Sequence, residues 1–111
     1  MDARVDAVFE ALADPSRRYL VERLASLGES TPTELARELP MTRQAVSKHL
    51  DQLEEVGLAR GSREGRQTVY HADLRPLRHA ADWLERVGGQ WDGRLAALRR
   101  HVEQRTELER E

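Results

Sequence analysis

Apolar residues recur at helical spacing in the first part of the chain, and proline and glycine interrupt the pattern. A first helix is indicated by four residues at i, i+3, i+4 and i+7, which are Val5, Val8, Phe9 and Leu12. Asp14 and Pro15 suit the N-cap and first position of a second helix, predicted over about 15–27. Gly28 is suited to end that helix, because glycine readily adopts a positive φ.

A short third helix is predicted to open at residues 31–34, where Thr-Pro-Thr-Glu forms a capping-box pattern with proline at the first helical position. This helix is expected to carry Leu35 and Leu39 on its apolar side and to end at Pro40. Such a short helix, placed just before a longer one, is typical of a helix-turn-helix.

A fourth helix is predicted over about 43–55, with Thr42 as its N-cap and Gly57 at its end. At about 100° per residue, its polar and apolar side chains fall in opposite arcs. Four polar residues lie in the N-terminal half: Arg43, Gln44, Ser47 and Lys48. Arginine pairs with guanine, glutamine pairs with adenine, and serine and lysine suit phosphates or base edges. This face is therefore a candidate for reading DNA; the alternative is the solvated side of an ordinary amphipathic helix.

A β-hairpin is predicted next, because extended segments over 58–63 and 67–71 flank the turn residues Glu64 and Gly65. The hairpin is basic, with three arginines against one glutamate: Arg60, Arg63 and Arg66. A thin basic hairpin beside a recognition helix can reach the minor groove of DNA, and Arg66 is the first candidate for that contact. The alternative is an exposed hairpin that arginine keeps in solution.

The remaining chain is predicted to be helical. Asp73 is a possible N-cap, with Pro76 in the first turn, and Gly88-Gly89 is expected to break or bend the helix. Beyond the glycines, four apolar residues are spaced by four, three and four, as in a coiled-coil seam: Trp91, Leu95, Leu98 and Val102.

This order of elements predicts a mainly α fold with a small β-hairpin, the winged helix-turn-helix α1-α2-α3-α4-β-β-α5. Its parts are a single domain over 1–111, with the helix-turn-helix at about 31–56, the wing at about 58–72 and C-terminal dimerisation helices at about 74–104. A chain of 111 residues buries a limited core, so dimerisation is expected to stabilise it.

Composition excludes several classes of protein. The chain has no cysteine, which excludes disulfides and thiolate metal sites. Its mixed-charge N-terminus precedes no long apolar run, so we expect a cytoplasmic protein without a membrane partner. We find no glycine-rich phosphate loop, no paired catalytic carboxylates and no nucleophile with a base, so an enzyme is not expected. The net charge of -2 is the one feature that favours an alternative, a winged helix that binds another protein.

Five segments resemble the ArsR/SmtB type of transcriptional regulator: residues 8–18, 34–36, 42–50, 53–58 and 64–70. The resemblance covers about residues 5–75. It implies a homodimer built from the first and last helices, which binds double-stranded DNA at a short inverted repeat and represses its own or a neighbouring operon. The candidate DNA-binding residues are Thr42, Arg43, Gln44, Ser47, Lys48, His49, Arg60, Arg63 and Arg66. The candidate dimer-interface residues are Val5, Val8, Phe9, Leu84, Trp91, Leu95 and Leu98.

Many members of this family sense metals, and here the sequence departs from them. The third helix, residues 34–39, lacks the family's Cys-x-Cys motif, so the chain resembles a cysteine-free branch and thiolate sensing is excluded. His79 and Asp82 lie one turn apart and His101 is followed by Gln104, but no second ligand pair has the family's spacing. We therefore expect no metal and no cofactor, with a His/Asp metal sensor as an alternative and a small-molecule effector left open.

Overall fold

The computed structural model of the chain describes the backbone of residues 3–110 and the side chains of residues 3–94 and 96–104. Two compact units divide the chain, Met1–Ala80 and Ala81–Glu111. The elements in chain order are α1 Ala3–Leu12, α2 Pro15–Leu27, β1 Glu29–Ser30, α3 Pro32–Ala36, α4 Arg43–Glu55, β2 Ala59–Glu64, β3 Gln67–Ala72 and α5 Arg75–Arg110. The predicted winged helix-turn-helix layout is confirmed.

Helices α2, α3 and α4 each begin at the N-cap that the sequence predicts. The capping oxygen accepts a backbone N–H at 2.8 Å for Asp14, 3.2 Å for Thr31 and 3.1 Å for Thr42. Each bond satisfies a donor that the first helical turn leaves unpaired. The Glu34 carboxylate of the capping-box pattern accepts a hydrogen bond from the Ser30 hydroxyl at 3.0 Å.

The three strands form one antiparallel sheet in the order β1-β3-β2. Strand β1 pairs Glu29 with His71 and Ser30 with Tyr70, and the His71 Nε2 atom lies 3.0 Å from the Glu29 carboxylate. The core lies between the sheet and helices α2 to α4. Its largest fully buried side chains include Leu20, Leu24, Leu35, Leu50, Leu53 and Leu58.

Three expectations from the sequence are wrong in detail. The sheet has a third strand, β1, where the sequence predicts only a hairpin. Leu39 lies in the turn after α3, which ends at Ala36, although Leu39 still packs against the core. The predicted break at Gly88-Gly89 is absent, because both glycines lie inside α5. A glycine in a helix costs only about 1 kcal/mol relative to alanine, so a long helix can continue through this pair.

Candidate nucleic-acid interface

Helix α4 presents its predicted polar face because its opposite face is fixed in the core. Val46, Leu50 and Leu53 are fully buried, so the side chains on the other side of the helix point outward. Arg43, Gln44 and Lys48 are exposed there and Ser47 is half-buried. Together with Asp51, these residues line an open hollow of about 510 Å³ on the outer face of α4.

A second hollow, of about 300 Å³, lies between α4 and the hairpin, and we call it the arginine groove. Three arginines line it, Arg43 from α4 and Arg63 and Arg66 from the hairpin, together with the half-buried Ser47. The other described residues that line it are uncharged: Thr31, Pro32, Thr33, Gln67, Thr68 and Tyr70. A groove with three guanidinium groups and no lining carboxylate favours an anion such as a DNA phosphate.

Arg60 does not share this groove, although the sequence groups it with Arg63 and Arg66. It pairs across the sheet with His71, on the face opposite to the one that carries Tyr70. The Arg60 Nε atom lies 3.4 Å from a carboxylate oxygen of Asp73. Hydrogen bonds from Arg75, the closest at 2.6 Å, and the charge of Arg60 hold the pKa of Asp73 below its ordinary value. Arg60 therefore takes part in an ion cluster at the base of the hairpin.

A hydrogen bond joins the hairpin to α4. The Tyr70 hydroxyl donates to an Asp51 carboxylate oxygen at 3.0 Å, and the Tyr70 ring is buried in the core. Burial, then this hydrogen bond and the negative charges of Asp51 and Glu54, raise the pKa of Tyr70 to about 12. The backbone of Gly61 passes over the same ring, and a Cβ there would lie 3.0 Å from the Tyr70 Cε1 atom. The absence of a side chain at Gly61 therefore lets β2 close over Tyr70.

The link between Tyr70 and Asp51 is not indicated by the amino-acid pattern. Asp51 belongs to the polar arc of α4, and nothing in its spacing indicates a partner on another element. The register that places Gly61 opposite Tyr70 is the one signal that points to a close approach here.

His49, a further DNA-binding candidate, lies half-buried on α4, and its Nδ1 atom is buried without a hydrogen-bond partner. Asp14, at the start of α2, lies within electrostatic range of His49. Burial acts to raise the pKa of Asp14, but backbone hydrogen bonds from Arg17 and Ser16 and the charge of His49 outweigh it, so this pKa lies below its ordinary value.

The candidate dimer-interface residues fall into two groups. Val5 and Val8 are buried within the single chain, and Phe9 is half-buried. On α5, by contrast, the candidates whose side chains the structure describes are more than half exposed: Leu84 at 53%, Trp91 at 57% and Leu98 at 59%. The side chain of Leu95 lies outside the described residues.

Neither a metal site nor a membrane span is found in the part of the chain that the structure describes. No cluster of three or more histidine, aspartate or glutamate side chains suited to a metal ion occurs among these residues. Within the same residues, none of the helices combines the length and the apolar character needed to cross a membrane.

Comparison with known proteins places this fold among regulators of transcription. Residues 12–61 match the model of a helix-turn-helix domain family. The chain is 36% identical over 92 residues to the uncharacterized HTH-type transcriptional regulator YuzN of Bacillus subtilis, covering 77% of this chain and all of that protein. It is 26% identical over 77 residues to the transcriptional repressor SdpR of the same organism, covering 69% of this chain and 84% of that protein.

Solved structures agree with these sequence relatives. An ArsR-like transcriptional regulator from Rhodococcus sp. RHA1 superposes with a TM-score of 0.72 at 38% identity, covering 88% of this chain and 92% of that one. The homodimeric winged helix-turn-helix DNA-binding domain of a possible ArsR-family regulator from Mycobacterium bovis superposes with a TM-score of 0.62 at 28% identity. That alignment covers 78% of this chain and 79% of the other.

Proposed function

Because the chain belongs to the ArsR-type helix-turn-helix transcriptional regulators, we propose that it is a homodimeric repressor that binds a short inverted repeat in double-stranded DNA. We propose further that it acts in the cytoplasm on its own or a neighbouring operon. The name of its relative SdpR supports repression, and the homodimeric M. bovis domain supports a dimer.

The arginine groove beside the outer face of α4 is the observation that carries the proposal. In this assignment the exposed side chains of Arg43 and Gln44 enter the major groove, and the exposed side chain of Lys48 holds a phosphate beside it. Arg63 and Arg66 hold the adjacent backbone. Thr42 and Ser47 lie near the N-terminus of α4, where backbone N–H groups and the helix dipole attract phosphate.

A dimer gives the inverted repeat its physical reason. Two copies related by a twofold axis present two recognition helices, and their half-sites lie about one helical turn apart, near 34 Å. The exposed apolar side chains of Leu84, Trp91 and Leu98 on α5 supply the surface that we assign to the partner copy.

The test begins with DNA from upstream of the chain's own gene, with binding followed by fluorescence anisotropy at two salt concentrations and with excess competitor DNA. We expect binding that survives the competitor and weakens steeply with salt, because each neutralised phosphate releases counterions. Footprinting then defines the operator. The proposal would be contradicted if competitor DNA abolished DNA binding completely and the chain instead retained a protein partner. That result would favour a protein-binding winged helix.

Two variants test the assignment on α4. Lys48→Ala is expected to weaken binding to all sequences alike, since it removes a phosphate contact. Gln44→Ala is expected to relax the preference at one base pair, at a cost of about 1–3 kcal/mol for that pair. Arg99→Ala on α5 is the matched control, because it removes one positive charge from an exposed position outside both hollows. Unchanged binding in both α4 variants would refute the recognition-helix assignment.

A further inference from the structure

Arg17 lies at the corner between α1 and α2, and its guanidinium group joins three helices. Its Nε atom donates to the carbonyl of Ala11 at 2.7 Å and its Nη2 atom to the carbonyl of Glu10 at 3.3 Å. Its Nη1 atom donates to the side-chain oxygen of Gln52 on α4 at 3.0 Å. One side chain of α2 therefore holds the end of α1 and the recognition helix at the same time.

The surroundings make this contact rigid. The Arg17 side chain is 18% exposed, and the Asp14 carboxylate lies 3.9 Å from its Nη1 atom. A planar guanidinium with three nitrogens engaged in fixed directions has little freedom to adopt another arrangement. The bond to Gln52 spans 35 positions of sequence, so it is a tertiary contact and not part of the local turn.

Apolar packing does not fill the space between α1 and α4 at this corner. A hollow of about 260 Å³ lies there, lined by Ala7, Glu10, Ala11, Arg17, Gln52, Glu55 and Val56. Where side chains leave a gap, close packing cannot fix the separation of two helices. Ala11 joins the apolar core that also holds Leu50 and Leu53, and the polar link from Ala11 through Arg17 to Gln52 bridges the gap beside it.

From this we infer that Arg17 is a positioning residue for DNA binding, which sets the orientation of the recognition helix relative to α1 through Gln52. The inference rests on the proposed function. In a homodimer that includes α1 in its interface, both recognition helices must meet successive turns of the same duplex. Without the link, α4 keeps its buried face in the core but can tilt slightly relative to α1, which moves Gln44 and Lys48 relative to the DNA. Loss of the link therefore lowers affinity without removal of any DNA contact.

Arg18 provides a matched control beside it. Its Nη1 atom donates to the Leu12 carbonyl at 3.0 Å, so Arg18 also caps the end of α1. This bond joins α2 to α1 alone, whereas the bonds of Arg17 reach both α1 and α4. Loss of Arg18 removes a cap of the same helix and a charge of the same sign, and it leaves the link to Gln52 in place.

The experiment measures operator affinity for the full chain and for Gln52→Met, Arg17→Met, the double variant and Arg18→Met. Dimerisation is followed by sedimentation and stability by thermal unfolding in parallel. We expect about tenfold weaker operator binding in Gln52→Met and in Arg17→Met. The double variant should be no weaker than Arg17→Met alone, because both changes remove one interaction. Arg18→Met should bind the operator like the wild type.

Thermal unfolding distinguishes a change in the position of α4 from the loss of capping at the end of α1. Arg17→Met removes the Arg17 donor from the Ala11 carbonyl and one of two donors from the Glu10 carbonyl, which still accepts from the Ala13 N–H, so it should lower the melting temperature. Gln52→Met keeps those bonds and should change the melting temperature little. Gln52→Glu retains an acceptor for the guanidinium and should restore near-normal affinity. Gln52→Met therefore tests the inference even if Arg17→Met does not fold.

Normal operator binding by a folded, dimeric Gln52→Met protein would overturn the inference, and so would additive losses in the double variant. Either result leaves the proposed function intact as long as the wild type binds its operator. Absence of specific binding by the wild type, in contrast, overturns the proposed function and this inference together.

Discussion

The hydrogen bond between Tyr70 and Asp51 has a stability effect that can be predicted from its surroundings. Tyr70→Phe removes the hydroxyl and keeps the buried ring, whose packing against the core is retained. A hydrogen bond to a charged acceptor contributes about 1.5–3 kcal/mol. Asp51 is exposed, so water replaces part of the lost interaction. We therefore expect Tyr70→Phe to lower the free energy of unfolding by about 1–1.5 kcal/mol, at or below the lower end of this range.

The assay is thermal and denaturant unfolding at one protein concentration, since the stability of a dimer depends on concentration. For a chain of this size the expected loss corresponds to a fall in melting temperature of roughly 3–8 °C. Tyr19→Phe is the matched control: its hydroxyl donates to Glu38 at 3.0 Å, but Arg23 holds that carboxylate through two further bonds of 2.7 Å. Its effect should be smaller. A Tyr70→Phe protein as stable as the wild type would refute the reasoning, because it would show that water replaces the bond completely.

The same bond can be followed by titration of the tyrosinate absorbance. The pKa of Tyr70 is raised to about 12 from 10.0, mainly by burial and then by Asp51. A raised pKa means that the neutral hydroxyl stabilises the fold below pH 10 and that this contribution is lost as the pH rises through about 12. Asp51→Asn keeps an acceptor but removes the charge, so the pKa of Tyr70 should fall and still remain above 10.0, because burial persists. An unchanged titration would contradict the assignment to Asp51.

Three further predictions concern separate features. Gly61→Ala should destabilise the chain by about 1–3 kcal/mol in denaturant unfolding, because its Cβ would crowd the Tyr70 ring at 3.0 Å. Gly88→Ala has no heavy atom within 4 Å of its Cβ and should instead stabilise α5 by up to about 1 kcal/mol. Equal changes in the free energy of unfolding for the two variants would contradict both predictions. Asp73→Asn should flatten the pH dependence of unfolding in acid, because the charge of Asp73 stabilises the fold above its ordinary pKa of 3.8 and is lost as the pH falls through its lower folded value; a curve that overlays the wild type would reject this. Arg66→Ala should reduce the slope of log affinity against log salt by about 2, since the homodimer loses one phosphate contact in each copy, and an unchanged slope would remove Arg66 from the phosphate contacts.

The parts of the fold that depend on local signals are predictable from the sequence. Asp14, Thr31 and Thr42 cap the helices that the sequence assigns to them, since N-capping is decided within three residues. The phase of α4 follows from the 3.6-residue repeat, which is why the amino-acid pattern alone identifies its outward side chains correctly.

The parts that depend on distant pairing are not predictable in this way. Strand β1 is two residues long, too short for any periodicity, and it exists because it pairs with β3. The sequence pattern places Arg60 in the same basic hairpin as Arg63 and Arg66. Residue spacing does not show that the side chain of Arg60 lies next to the carboxylate of Asp73. The contact between Arg17 and Gln52 joins positions 35 apart. Helical spacing likewise does not distinguish a valine buried within its own chain, such as Val8, from one buried by a partner.

The strand order has a consequence for how the hairpin behaves at high concentration. Because β3 lies between its neighbours, β2 is the outermost strand on its side and has hydrogen-bonding groups that no other described strand pairs. An edge of this kind is a template for aggregation unless charge discourages pairing with another chain. Arg60, Arg63 and Glu64 lie along this edge. The arginines that we assign to ion pairing and to DNA therefore also protect the free protein from edge-to-edge association, and replacing several of them with apolar residues should lower solubility as well as affinity.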